Sequence, residues 1–265
     1  SRTVQVLFYN QSWAQELGFA NVPQSIEEFK QQVCAAAAAN MADETRDNDG
    51  TGGWIVNTDS LVVLSWLYSF GYDNLPENEG QPYLFDDETT AETFRFLKAM
   101  IDEGCAWISR NPDPYEYFSN RQALIYSGIL ENTNTQERYI SQSENLDTWT
   151  ILPYPSDPSG KPVIIASGPS YALLSGSPEE VLAGWILIRY MATAESQIKL
   201  VQVNYSLPVS VQAIQSLEVF SRYNPQWALA QSWMPVVRIP PGLSSWRTVR
   251  NILEDAAWQY MQPQT

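Results

Sequence analysis

The chain has 265 residues, 44% of them apolar and 17% charged, with 30 acidic against 15 basic side chains and a formal net charge of −15. That composition belongs to a globular protein with a substantial core rather than a disordered chain, and it argues against nucleic acid or an anionic membrane surface as the main partner. The chain has no histidine, so a Ser-His-Asp triad, a Cys-His dyad and histidine-based zinc sites are excluded.

The first predicted element is a strand in which Val4, Val6 and Phe8 alternate with Gln5, Leu7 and Tyr9, a pattern for a largely buried strand. It runs into Asn10 and a short helix. In "PQSIEEF" (23–29) Ser25 and Glu28 have capping-box spacing, and Ile26, Phe29 and Val33 mark the apolar face of a helix continuing through the alanines at 35–39. The polar loop "DETRDNDGTGG" (43–53) is weakly like a calcium loop. Thr45 stands where the first carboxylate belongs and Val56 where the closing Glu belongs, so a plain turn is expected. A short strand, "WIVN" (54–57), follows.

Thr58 or Asp59 is placed to cap a helix carrying Leu61, Val62, Leu64, Leu67 and Tyr68 and ending at Gly71. The segment "LFDDETTAETFRFLKAMIDEGC" (84–105) predicts an amphipathic helix with Phe94, Leu97 and Ile101 on one face and Gly104 as its stop. Strands are predicted in "RQALIYSG" (121–128) and "WTILPYP" (149–155), with a turn at 156–162. "VIIASGPSYALL" (163–174) reads as a strand pair, or as one long strand broken at Gly168-Pro169. The helix at 177–191 has the strongest start signal, Ser177 as N-cap, Pro178 at the first position and Glu180 at the third. A last amphipathic helix occupies 244–261. Strands and helices alternate throughout, which makes the fold class α/β.

Cys34 and Cys105 have no metal-ligand spacing; two buried thiols or, in an exported protein, a disulfide are the open readings. Ten tryptophans and fourteen tyrosines are a heavy aromatic load. Such rings serve a core, and they also form the flat faces on which sugar C–H groups stack.

Several stretches, in order, resemble one family, the extracellular solute-binding proteins of sugar ABC transporters, whose members include the maltose-binding protein. These are "LFYNQSWAQELGFANVPQSIEEF", "FDDETTAETFRFLKAMIDEG", "RQALIYSG", "WTILPYPSDPSGKP" and "SGPSYALLSGSPEEVLAGWILIRYMATAESQIKLVQVNYSLPV". The resemblance implies a periplasmic-binding-protein-like (type II) fold, two α/β lobes joined by three chain crossings with ligand held between them. Residues 1–162 and 211–265 would belong to the second lobe, and 163–210 would be a return segment of the first. The opening part of the first lobe is then expected to lie outside these residues. Val163, Ile164, Ile165, Leu182, Trp185, Ile186, Ile188 and Met191 are expected to face that missing segment, a neighbouring chain or a rearranged surface.

By the same resemblance the protein captures a sugar or oligosaccharide outside the cytoplasmic membrane, with a membrane anchor on the precursor, and hands it to permease subunits as the lobes close. No cofactor and no metal are implied. Trp246 matches a stacking aromatic, with core packing as its other reading. Thr58, Asp59 and Ser60 match a hydroxyl-binding turn, where Asp59 serves equally well as a simple cap. Gly128, Leu130 and Glu131 stand where a second platform often lies, although Leu130 is not aromatic. Gly168 and Tyr171 lie at the first-lobe crossing and Tyr205 in a first-lobe loop. For Glu131, Tyr171 and Tyr205 an ordinary surface role competes. Both cysteines fall in the second lobe, so a Cys34–Cys105 disulfide is expected. Two other functions use the same residues differently, a sensory ligand-binding module and a glycoside-processing enzyme; the enzyme would need two carboxylates facing across a cleft.

Overall fold

A computed structural model describes residues 1–262. Its centre is a mixed sheet in the order β3-β2-β4-β1-β5, built from β1 (Thr3–Asn10), β2 (Gly52–Ile55), β3 (Ala106–Trp107), β4 (Ala123–Ile129) and β5 (Trp149–Leu152). β2 runs parallel to both β3 and β4, whereas β1 is antiparallel to β4 and β5. A two-residue strand, β6 (Ala166–Ser167), pairs with the start of β1.

Every residue of β1 is buried because both faces of the sheet are covered. Leu7 and Tyr9 enter one core with Phe29, Trp54, Trp66 and Tyr154. Val4, Val6 and Phe8 enter the other with Tyr126, Ile151, Ile164 and Trp227. The period-two alternation in the sequence therefore sorts side chains between two cores rather than between core and water.

On the first face lie α2 (Ile26–Ala42), α3 (Ser60–Ser69), α4 (Glu88–Asp102) and α12 (Trp246–Met261). The Ser25–Glu28 capping box starts α2 with both of its hydrogen bonds made. Asp87 caps α4 through Thr90 N. Cys34 on α2 and Cys105 beside β3 are joined as a disulfide, with Cα atoms 4.3 Å apart. The approach is close because Gly53 lies between the two segments; a Cβ there would overlap the Cys105 carbonyl.

The second face carries the short helices α5 (Tyr115–Ser119) and α11 (Pro225–Ser232). α6 (Asn132–Gln142) packs beside them, and the short helix α1 (Gln11–Glu16) follows β1. At that end of the sheet Arg121 makes a two-pronged pair with Glu16, at 2.6 and 2.8 Å, and also holds the buried Asp147. Asn10 adds a 2.7 Å bond to Asp147 while capping α1.

The stretch 163–191 divides in two, which corrects the sequence expectation. Val163, Ile164 and Ile165 are fully buried; Val163 bridges to Tyr154 and Ile165 to Arg238. Beyond β6 no strand continues to residue 174. α7 (Pro178–Met191) forms with its capping box intact but has no buried residue; Trp185 is 50% and Ile186 58% exposed. α8 (Ala194–Asn204) returns the chain to the second core through Val201, and α9 (Val211–Ser216) and α10 (Glu218–Tyr223) lead into α11. No helix among the described residues is long and apolar enough to cross a membrane.

Candidate functional site

The three parallel strands end at one edge of the sheet. Ile55 lies beside both Trp107 and Tyr126, so the exits of β2, β3 and β4 (56–59, 108–110 and 130–131) stand side by side. β1 begins at the same edge, since Val6 pairs with Gly128 and the Leu130 amide donates to Val4 O. Open α/β sheets bind ligands outside the carboxyl ends of their strands, where loops and helix N-termini present polar groups. This edge is the candidate site.

Asp59 caps α3 there, its Oδ1 accepting the Leu61 amide at 2.8 Å, and its side chain is exposed. Thr58 is half-buried, whereas Ser60 is fully covered as the first residue of the helix and does not face outward. Gly128 is half-buried, and a Cβ on it would press against Asn132 Oδ1 and Phe8. Glu131 is also half-buried and accepts the Thr3 hydroxyl. Burial pushes its carboxyl above the usual range, and the Thr3 bond offsets only part of that. Leu130 departs from the expectation of a platform. It is wholly buried in the second core, because the chain turns inward between β4 and α6.

Trp246 opens α12 at the same end of the molecule. α4 and α12 run in the same direction, with Tyr83 near Ser245 (OH to Oγ, 3.2 Å) and Lys98 near Gln262. Only 9% of Trp246 is exposed, and its ring stacks on Tyr83 at 6.0 Å. It belongs to the first core, with only a small part of its surface open to solvent.

Gly168 and Tyr171 form a separate group. They line a cavity of about 640 Å³ with Ser1, Arg2, Ser170, Met191 and Pro240, and neither Asp59 nor Trp246 reaches it. Gly168 is held close to the chain start, since a Cβ would come within 2.8 Å of Ser1 O. Tyr171 is 59% exposed. Tyr205 joins neither group; it ends α8 in a left-handed conformation (φ 61°) and lies edge-on to Phe220 at 5.5 Å. Burial, aided by nearby Glu137, pushes its phenol up. An apolar cavity of about 580 Å³ lies between α4 and α12, lined by Tyr83, Phe85, Phe94, Val249 and Leu253; Tyr83 is the ring that stacks on Trp246, whereas neither Asp59 nor Glu131 lines it.

Sequence reasoning did not single out Asn57, Ser127 or Trp107, which occupy the same edge. The signal was faint. Asn57 closes one predicted strand and Ser127 is the last but one residue of another, where a polar residue usually marks only a boundary. In the 43–53 loop Asp43 is committed to the turn itself, accepting the Thr45 amide and Asn48 Nδ2. The hydrogen bonds hold its carboxyl below the usual range.

A profile of the bacterial extracellular solute-binding protein family matches residues 1–224. A search of curated protein sequences finds no match. Among solved structures, maltose-bound MalE3 of T. maritima is 16% identical with a TM-score of 0.77, over 100% of this chain and 67% of that one. The cyclic alpha-maltosyl-1,6-maltose binding protein of Arthrobacter globiformis is 16% identical with a TM-score of 0.71, over 98% of this chain and 70% of its own. UgpB of Mycobacterium tuberculosis, in complex with glycerophosphocholine, is 18% identical with a TM-score of 0.74, over 97% of this chain and 64% of its own. The 265 residues thus span about two thirds of the length of the structures they resemble. With most of its length matched by the family profile and its fold shared with these structures, the chain belongs to the bacterial extracellular solute-binding proteins.

Proposed function

We propose that this chain is the larger part of the carbohydrate-binding component of an ABC transporter, a protein without chemistry of its own. It would hold a sugar or oligosaccharide between two lobes outside the cytoplasmic membrane and deliver it to permease subunits. The observation that carries this reading is the strand-exit edge, where the carboxylates of Asp59 and Glu131 stand with Trp246 at the head of α12. Carboxylates accept bonds from ligand hydroxyls and a tryptophan edge covers apolar ring faces. The maltose-type ligands named for two of the similar structures agree with this class.

We assign residues 1–162 and 211–265 to the second lobe and, of 163–210, the uncovered stretch 168–191 to the first, since Val163–Ala166 and Val201 pack into the two cores of the sheet. Two contrasts support the division. Trp227 on α11 shares a core with Ile151 of β5, and Leu253 on α12 shares the other with Leu7. α7 buries nothing against either. A first-lobe sheet that these residues do not supply is the surface we place over α7, with Gly168 and Tyr171 at the crossing.

The test is a melting screen of the full-length protein against maltose, maltotriose, trehalose and glycerophosphocholine, since a ligand bound only by the native state raises the transition. A rise with the glucosides is expected, and Trp246→Ala should weaken that binding about fivefold or more, in line with the loss of one aromatic contact. A response to glycerophosphocholine alone would overturn the sugar assignment. An unchanged affinity with a collapsed melting point would make Trp246 core only.

A further inference from the structure

We propose that Asn57 is a positioning residue of the strand-exit edge, tying β2 to β4 and setting Asp59 at the head of α3. This rests on the reading of that edge as the ligand face. The regular pairing of β2 with β4 ends at Ile55 opposite Tyr126. The next β4 carbonyl on that side, Ser127 O, has run out of strand, and the Asn57 side chain takes over, with Nδ2 donating to it at 3.4 Å. The same carboxamide turns its oxygen the other way and accepts the Asp59 amide at 2.8 Å. Asp59 then spends Oδ1 on the Leu61 amide, which leaves Oδ2 for a ligand hydroxyl.

Ser127 is itself fixed from below. Its Oγ accepts the indole N–H of Trp54, a fully buried ring, at 3.2 Å. A continuous set of hydrogen bonds therefore runs from the first core, through Ser127 and Asn57, to the exposed carboxylate of Asp59. The position requires one donor and one acceptor on a short planar group. Aspartate supplies only acceptors, serine has one atom for both tasks, and glutamine is a methylene longer. Asn57 is half-buried, so water competes incompletely for either bond.

The test uses Asn57→Ala and Asn57→Asp in the full-length protein, read by amide hydrogen exchange and by calorimetric titration with maltotriose. Asn57→Ala should speed exchange at Asp59, Ser60 and Leu61 about tenfold while the amides of β1 and β4 stay protected, the signature of a local opening. Affinity should fall about tenfold in step, with the melting transition little changed. Asn57→Asp keeps the acceptor for the Asp59 amide and loses the donor to Ser127 O, so it should fall between. Unchanged exchange at 59–61 would overturn the proposal. So would faster exchange with unchanged affinity, which would leave a purely structural tie. If the native protein takes up no maltotriose, the titration uses whichever glucoside raised the melting transition; if none did, the sugar reading fails, and the exchange measurement alone still decides whether Asn57 holds Asp59.

Discussion

α3 and α7 are both apolar nearly all round, and they meet opposite fates. In α3 every residue but Leu61 is buried, against α4, α12 and the sheet. In α7 none is, although α7 has the better start, with a complete capping box and Pro178 in its first turn. Caps and propensity thus decide that a helix forms, while burial depends on what lies across from it. A helix that is apolar on all sides yet exposed is one whose partner surface lies elsewhere.

Cutting one tryptophan from each helix tests that contrast most strongly. Trp66→Ala removes a fully buried ring packed against Phe29, Trp54 and Tyr154 and should cost about 3–5 kcal/mol in urea unfolding of the 265-residue chain. Trp185→Ala in the same chain should cost no more than about 0.5 kcal/mol. In a longer chain that supplies the proposed first-lobe sheet, the Trp185 cost should climb to about 2 kcal/mol or more. A large cost in the 265-residue chain would break the comparison.

Reducing the disulfide comes next. With Cys34 and Cys105 separated by 71 positions in sequence, loop-closure entropy gives an upper figure of about 4 kcal/mol. Reduction should lower the melting point of the sheet-centred body and leave protease cutting within 168–191 unchanged, because the bond links α2 to β3 and touches neither side of α7. Faster cutting in α7 would show that the two regions are coupled.

Two carboxyls within the sheet-centred body give a smaller effect with opposite signs. For Asp147, burial raises the pKa, but hydrogen bonds from Arg121, Asn10 and Asn145 outweigh it and hold the carboxyl below its usual range. A carboxyl lowered on folding supports the native state above its unfolded pKa, about 3.9, and withdraws that support as pH falls through the folded value. Glu131 is raised, by burial first, so its ionised form burdens the native state at neutral pH, and the burden lifts as pH drops through its folded value. Calorimetry should therefore show Asp147→Asn lowering the melting point more at pH 7 than at pH 3. Glu131→Gln should raise it slightly at pH 7. The reverse signs would mean that hydrogen bonds do not control Asp147 and that burial does not control Glu131.

Local chemistry was legible in the sequence. Both capping boxes, the Asp59 cap and the alternation in β1 all form as their residues dictate. What depended on distant chain was not. Leu130 and Tyr205 stood at element ends, which usually face water, but the second core and Phe220 covered them. Val163, Ile164 and Ile165 shared an apolar run with residues that stayed outside, and what separates the two is the bridges of Val163 to Tyr154 and of Ile165 to Arg238, with Ile164 in the core that holds Trp227. The strand-exit edge was partly visible through the helix start at Asp59. Asn57 was not, because its role is defined by a carbonyl seventy residues away.

The aromatic packing of the first core also has an optical consequence. Trp54 and Trp66 lie 5.6 Å apart at an interplanar angle of 65°, with Phe29 and Tyr154 edge-on to Trp66. Transition dipoles held this close at a fixed angle couple and acquire rotational strength in the near ultraviolet. Trp185, half in water and outside that cluster, contributes emission without such coupling. The near-ultraviolet dichroism thus follows the sheet and α3, and the emission of Trp185, obtained from the ten tryptophans by difference against a Trp185→Phe variant, follows whether α7 is covered.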